Sequence, residues 1–196
     1  MRIRRRDLLV CLALLTFAGA APAAKEDWNL ERLLAGFALT REARASFIER
    51  KQVSVLDRAL VSSGELHFSA PDRLEKRTLR PRPELLRVEG DQLSIERGER
   101  NLNLDLRSYP EVAAFVESIR GTLAGDRGVL ERFYRLRLEG NADAWALTLT
   151  PRAAGMAALV ESVRIAGRHA IISVIEIRQA NGDSTLMSVQ RLPGAP

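Results

Sequence analysis

Apolar residues recur at every second position through most of this chain, in short runs separated by turn formers. A period of two places alternate side chains on opposite faces of a β-strand, so each run has one apolar face to bury. Leu66 and Phe68 alternate with Glu65 and His67, and Leu102, Leu104 and Leu106 with Asn103 and Asp105. Leu136 and Leu138 face away from Arg135 and Arg137, while Trp145, Leu147 and Leu149 alternate with Thr148 and Thr150. The run from Ile171 to Ile177 is almost continuously apolar. Breakers separate the runs at Asp57-Arg58, Pro71-Asp72, Pro81-Arg82-Pro83, Gly90-Asp91, Gly140-Asn141, Gly167-Arg168 and Asn181-Gly182. Gly90-Asp91 and Asn181-Gly182 are strong hairpin turns. The spacing predicts about ten or eleven short strands in an antiparallel meander.

Two segments have helical period instead. After Asp27, an expected N-cap, Leu30, Leu33, Leu34 and Phe37 form one stripe. The second segment opens with Ser108, has Glu111 three residues later and Pro110 in its first turn, the pattern of a capping box. Val112, Phe115, Val116, Ile119 and Leu123 then share a face up to Gly125, and a short third helix is expected around Arg127 to Arg132. Strands in this pattern can form one strongly curved sheet, a half-barrel whose concave face needs an apolar cover. The helices, expected near 28–39 and 109–124, are the available cover, and a mostly apolar chamber between sheet and helices follows.

The first 24 residues read as a secretory signal peptide: Arg2, Arg4, Arg5 and Arg6, an apolar run from Leu8 to Ala18, then Ala21-Pro22-Ala23-Ala24. Arg5-Arg6-Asp7-Leu8-Leu9 also fits a twin-arginine signal loosely, so the destination reads more firmly than the export route. Cleavage is expected near Ala24, leaving residues 25–196 as a single domain with 26 basic and 24 acidic residues. The formal +5 of the whole chain thereby falls to +2, too balanced for a phosphate-binding field, which argues against nucleic acid as partner. The one cysteine, Cys11, lies inside the signal, so no disulfide or cysteine metal site is expected in the remaining chain.

Catalytic signatures do not emerge. His67 and His169 are the two histidines, each in or beside a strand pattern and without the spacing of a zinc helix. Ser62-Ser63-Gly64 lacks a nucleophile elbow, and no carboxylates pair recognisably. No enzyme activity, metal or cofactor is expected. The basic run Arg73, Lys76, Arg77, Arg80 and Arg82 reads first as a solvated strand face, with Lys76 on an outer surface. The alternative follows from Lys76 sharing a face with Leu74 and Thr78: a lysine turned into the chamber, costly unless paired or facing an anionic headgroup.

Four stretches in order resemble the LolA-like family of periplasmic outer-membrane lipoprotein carriers. They are Ala45-Ser46-Phe47, the segment from Gly64 to Leu74, Glu89-Gly90-Asp91-Gln92-Leu93, and Leu149-Thr150-Pro151-Arg152. The resemblance spans residues 28–190. It implies an open, unclosed barrel with helices as a lid over an apolar cavity that holds acyl chains. The sequence departs from the family's pattern at Ala70, where relatives carry an arginine before the proline, and at Lys76 and Ser94, where they carry aromatics. The fold therefore carries over more firmly than a lipoprotein cargo, and a glycolipid or other lipid is an alternative cargo.

On that resemblance the chain is expected to be a monomeric periplasmic carrier or chaperone in transit towards the outer membrane. Its partners would be acylated protein or lipid cargo, an inner-membrane releasing complex and an outer-membrane acceptor. The alternative is an envelope interaction or stress-sensing module of the same fold that binds lipoproteins without delivering them. The expected lining comprises Leu33, Leu34 and Phe37 from the first helix, Phe115 and Ile119 from the second, and Phe47, Leu66, Phe68, Leu74, Lys76, Leu93, Leu147 and Leu149 from the strands. For each apolar member, ordinary core packing is the competing reading.

Overall fold

The protein, represented by a computed structural model, is described for residues 28–192. The expected signal peptide, its Cys11 and the expected cap Asp27 lie outside the described residues. The chain opens with helix α1 (Leu30–Ala38) and then lays down strands β1 (Glu42–Gln52), β2 (Leu60–Ser69), β3 (Arg73–Arg80), β4 (Glu84–Glu89), β5 (Gln92–Arg97) and β6 (Arg100–Asp105). A 3₁₀ turn (Leu106–Ser108) leads into α2 (Pro110–Ala124) and α3 (Arg127–Phe133). Strands β7 (Tyr134–Asn141) and β8 (Ala144–Pro151), helix α4 (Ala154–Ala157), and strands β9 (Val160–Arg168), β10 (Ile171–Gln179) and β11 (Ser184–Arg191) complete it.

The eleven strands of the described residues belong to one open antiparallel sheet, ordered β6-β5-β4-β3-β2-β1-β11-β10-β9-β8-β7. Sheet neighbours are sequence neighbours except at the centre, where β1 pairs with β11 and Phe47 lies opposite Val189. That pairing leaves β6 and β7 as the two free edges. The link between them has to cross from one edge to the other, and it is this link that carries α2 and α3. A cover of helices over one face thus follows from the order of the strands.

The structure corrects several local expectations. The cap of α1 is Asn29, whose side-chain oxygen accepts from the Arg32 N–H at 3.0 Å. The capping box at Ser108 does not form: Ser108 ends the 3₁₀ turn, and Tyr109 caps α2 without a side-chain hydrogen bond. Pro110 is the cause, because the residue before a proline is pushed out of the helical region, which moves the boundary one residue on. β7 and β9 run through Gly140-Asn141 and Gly167-Arg168, and the turns fall just beyond, at Ala142-Asp143 and His169-Ala170. Helix α4 was not expected; four residues show no period. Among the described residues no helix is long and apolar enough to cross a membrane.

Candidate ligand chamber

The cross-strand register sorts the inner face of the sheet into rows. One row runs Leu104, Leu93, Val88, Leu74 and Phe68; the next runs Leu102, Ile95, Leu86, Lys76, Leu66 and Ala45. Across β11 to β7, Glu49 begins a row continued by Met187, Ile175, Ile165, Leu147 and Leu138. Lys51 begins another, continued by Thr185, Ile177, Val163, Leu149 and Leu136.

Two separate apolar clusters form on these rows. In the first, Leu33, Leu34 and Phe37 of α1 pack with Phe47, Trp145, Leu147, Leu149, Val163 and Ile165. Phe37 meets the Trp145 ring edge-on, with centroids 5.8 Å apart, and the Trp145 indole N–H donates to the His169 carbonyl at 2.8 Å. The second cluster joins Val88, Leu93, Leu106 and Val116 beneath α2.

The expected lining residues distribute over both clusters. Leu33, Leu34, Phe37, Phe47, Leu147 and Leu149 are core members of the first, with Leu66 and Phe115 half-buried against it. Leu93 belongs to the second, with Leu74 packed on it. Phe68 is buried, and Ile119 is half-buried on α2 outside either cluster. These side chains pack on one another in this structure. An open cleft of about 320 Å³ lies instead at the margin of the first cluster, bounded by Phe115, Ala158, Leu159, Val160, Ile177, Gln179 and Asn181. Of these, Phe115 alone was among the expected lining. Val160 and Ile177 stand in legible apolar strand runs, but the approach of Ala158 and Leu159 depends on α4, which has no sequence signal.

Lys76 faces inward, contrary to the outer-surface reading. Its cross-strand neighbours are Leu66, packed on the first cluster, and Leu86, packed on the second, so it stands on the seam between them. The ammonium donates to the Glu49 carboxylate and lies 5.1 Å from the centre of the Phe47 ring. Both charged side chains are largely withdrawn from water, at 25% and 15% exposure. Glu49 was missed, although a signal existed: two residues after Phe47 on a strand, it must share the face of Phe47.

Polar contacts hold the helices to the sheet. The Tyr134 hydroxyl donates to the Ala114 carbonyl on α2 at 2.9 Å, and burial pushes its pKa up to about 12. Arg120 of α2 donates to the Gly90 carbonyl in the β4–β5 hairpin at 2.8 Å and pairs with Glu117. On the opposite face of the sheet, His67 lies 2.9 Å from Glu42, whose pKa is lowered by His67 first and then by Arg44. His169 sits in the β9–β10 turn, so the two histidines are not brought together. Among the described residues no group of three or more His, Cys, Asp or Glu side chains could hold a metal ion.

The family model for proteins described as outer membrane lipoprotein carrier protein LolA-like matches residues 18–192. No curated protein matches the sequence. Among solved structures, a LolA superfamily protein from Nitrosomonas europaea is similar at 12% identity and a TM-score of 0.47, covering 87% of this chain and 96% of its own. A chain of the Pseudomonas aeruginosa MucA/MucB complex is similar at 16% identity and a TM-score of 0.48, over 85% of this chain and 56% of its own. The Mycobacterium tuberculosis lipoprotein LppX is similar at 14% identity and a TM-score of 0.40, over 81% of this chain and 93% of its own.

Proposed function

Since the chain belongs to the LolA-like family of outer membrane lipoprotein carrier proteins, we propose that it is a periplasmic carrier that buries the acyl chains of a lipoprotein or another amphiphile between its sheet and its helices. The observation that carries this reading is the inner face itself. Its apolar rows extend across an unclosed sheet and are covered by α1, which precedes the sheet, and by α2 and α3 on the link between its edges, so displacing these helices exposes a large apolar surface without breaking the sheet. Each buried methylene contributes roughly 0.8 kcal/mol, so a dozen-carbon chain supplies about 10 kcal/mol before the costs of ordering and of moving the helices. Loading requires α1 and α2 to shift, because their apolar faces occupy the chamber in this structure. The open cleft beside Phe115, Val160 and Ile177 is where an acyl tail would first reach the first cluster.

Export to the periplasm and exchange with an inner-membrane donor and an outer-membrane acceptor belong to the same proposal. Mass spectrometry of protein extracted gently from the periplasm, together with uptake of a fluorescent fatty-acid probe, tests it. Co-purifying acylated molecules and saturable uptake are expected; protein that is empty and takes up no probe overturns the carrier reading.

A further inference from the structure

We propose that Lys76 and Glu49 form a headgroup subsite that selects an anionic amphiphile, an acyl chain ending in a carboxylate or a phosphate ester; this deepens, and rests on, the carrier reading. The pair is out of place as a stabilising device. Two ions withdrawn from water between apolar clusters lose hydration that their attraction scarcely recovers, and apolar residues of similar volume would hold such a position at least as well. Its placement is informative for a ligand. With Leu66 on one side and Leu86 on the other, a headgroup held at Lys76 has an apolar route into either cluster for its chain.

The sign of the preferred headgroup follows from the spare hydrogen-bond donors of the Lys76 ammonium. Lys51 lies two residues beyond Glu49 on the same strand face, and Glu49 itself pairs with Lys76. Asp183 accepts from the Ser54 N–H at 2.9 Å and hydroxyl at 3.1 Å, keeps its negative charge and interacts with Lys51, so these four charges balance. Next to this group on the sheet, Glu84 and Arg97 pair with each other and add no net charge. An ammonium has three N–H donors, and among the described residues Glu49 alone accepts a hydrogen bond from Lys76. A ligand oxygen can therefore bind the remaining donors with Glu49 still in place. An ionised oxygen forms the stronger bond, as charge-assisted hydrogen bonds are about twice as strong as neutral ones. The Phe47 ring beneath the ammonium keeps it positioned while partners exchange.

The test compares three fluorescent probes of one chain length at pH 8, a fatty acid, the matching fatty alcohol and the alkylamine, on wild type, Lys76→Met and Glu49→Gln. Wild type should hold the acid about fivefold tighter than the alcohol, the size expected of one partly wet charge contact, and the amine weakest. Lys76→Met should remove the preference for the acid, Glu49→Gln should strengthen it, and alcohol affinity should stay within about twofold throughout. Opposite shifts in the two variants separate charge recognition from packing, and Glu49→Gln carries the test if Lys76→Met fails to fold. Equal binding of acid and alcohol by wild type, or parallel shifts for both probes, overturns the subsite and leaves the carrier reading standing; uptake of no probe overturns both. Free acetate at matched ionic strength should not displace the acid probe, and displacement would show an ion site rather than a headgroup site.

Discussion

The hydroxyl of Tyr134, at the start of β7, donates to the carbonyl oxygen of Ala114 in α2, 20 residues earlier in the chain. This bond ties the helical link to the sheet edge at which it ends. Tyr134 is fully buried, and burial lifts its pKa from the ordinary 10.0 to about 12. The folded protein thus keeps a proton that the unfolded chain releases, so the associated stability is intact below pH 10 and is lost as pH rises through about 12. Tyr134→Phe should cost ~1 kcal/mol at neutral pH. The stability difference between wild type and variant should be flat up to pH 10 and then fall by as much as ~1.4 kcal/mol per pH unit. Denaturant titrations at a series of pH values measure it, and a difference constant into the alkaline range would contradict the assignment.

Arg120 holds the same link to the β4–β5 hairpin through the Gly90 carbonyl and pairs with Glu117. Replacing both charged residues, Arg120→Met with Glu117→Gln, avoids leaving a carboxylate unpaired. Amide exchange in α2 should quicken and the association rate of an acyl probe should rise, with a stability loss of ~1 kcal/mol. Unchanged exchange would place the lid's restraint elsewhere.

Gly125 ends α2 at φ +68°, and a Cβ there would lie 2.2 Å from the Leu34 carbonyl of α1. Gly125→Ala should therefore cost ~3 kcal/mol, combining left-handed strain with a backbone clash. Gly98 provides the control, with φ +60° and no atom within 4 Å of its added Cβ. Gly98→Ala should cost only the conformational share, ~1 kcal/mol. Similar losses in thermal unfolding would mean that α1 and α2 do not approach as described.

Phe37 and Leu39 are two residues apart and test the packing of α1. Phe37 is 2% exposed and meets the Trp145 ring edge-on, while Leu39 is 83% exposed. Phe37→Ala should cost ~3–5 kcal/mol by leaving a cavity, and Leu39→Ala should stay within about 0.5 kcal/mol. Comparable costs would show that α1 is not seated on the sheet.

Local features are legible in the sequence. The hairpin turns at Gly90-Asp91 and Asn181-Gly182, the stripe of Leu33, Leu34 and Phe37, and the alternation of Trp145, Leu147 and Leu149 all rest on neighbours in sequence. A chain states such features wherever it folds, because period and turn chemistry act over a few residues. The cap of α2 failed for an equally local reason: Ser108 and Glu111 matched a pattern that Pro110 forbids them from completing.

Alternation tells which residues share a strand face; it does not tell which face is inward or which distant strand lies alongside. Lys76 kept company with Leu74 in sequence, yet its basic neighbours suggested an outer surface until the β2–β3–β4 register set it between Leu66 and Leu86. Its contact with Glu49, 27 residues away, exists only because β1 and β3 flank β2 with this register. The pairing of β1 with β11 is likewise invisible in either strand alone, and it is what makes β6 and β7 the free edges and sends α2 and α3 across the inner face. The sequence by itself therefore determined the strands and the longer helices, with their amphipathic faces, but not α4. The tertiary structure decided their neighbours, because long-range pairing is selected by the burial of all those faces together rather than by any segment.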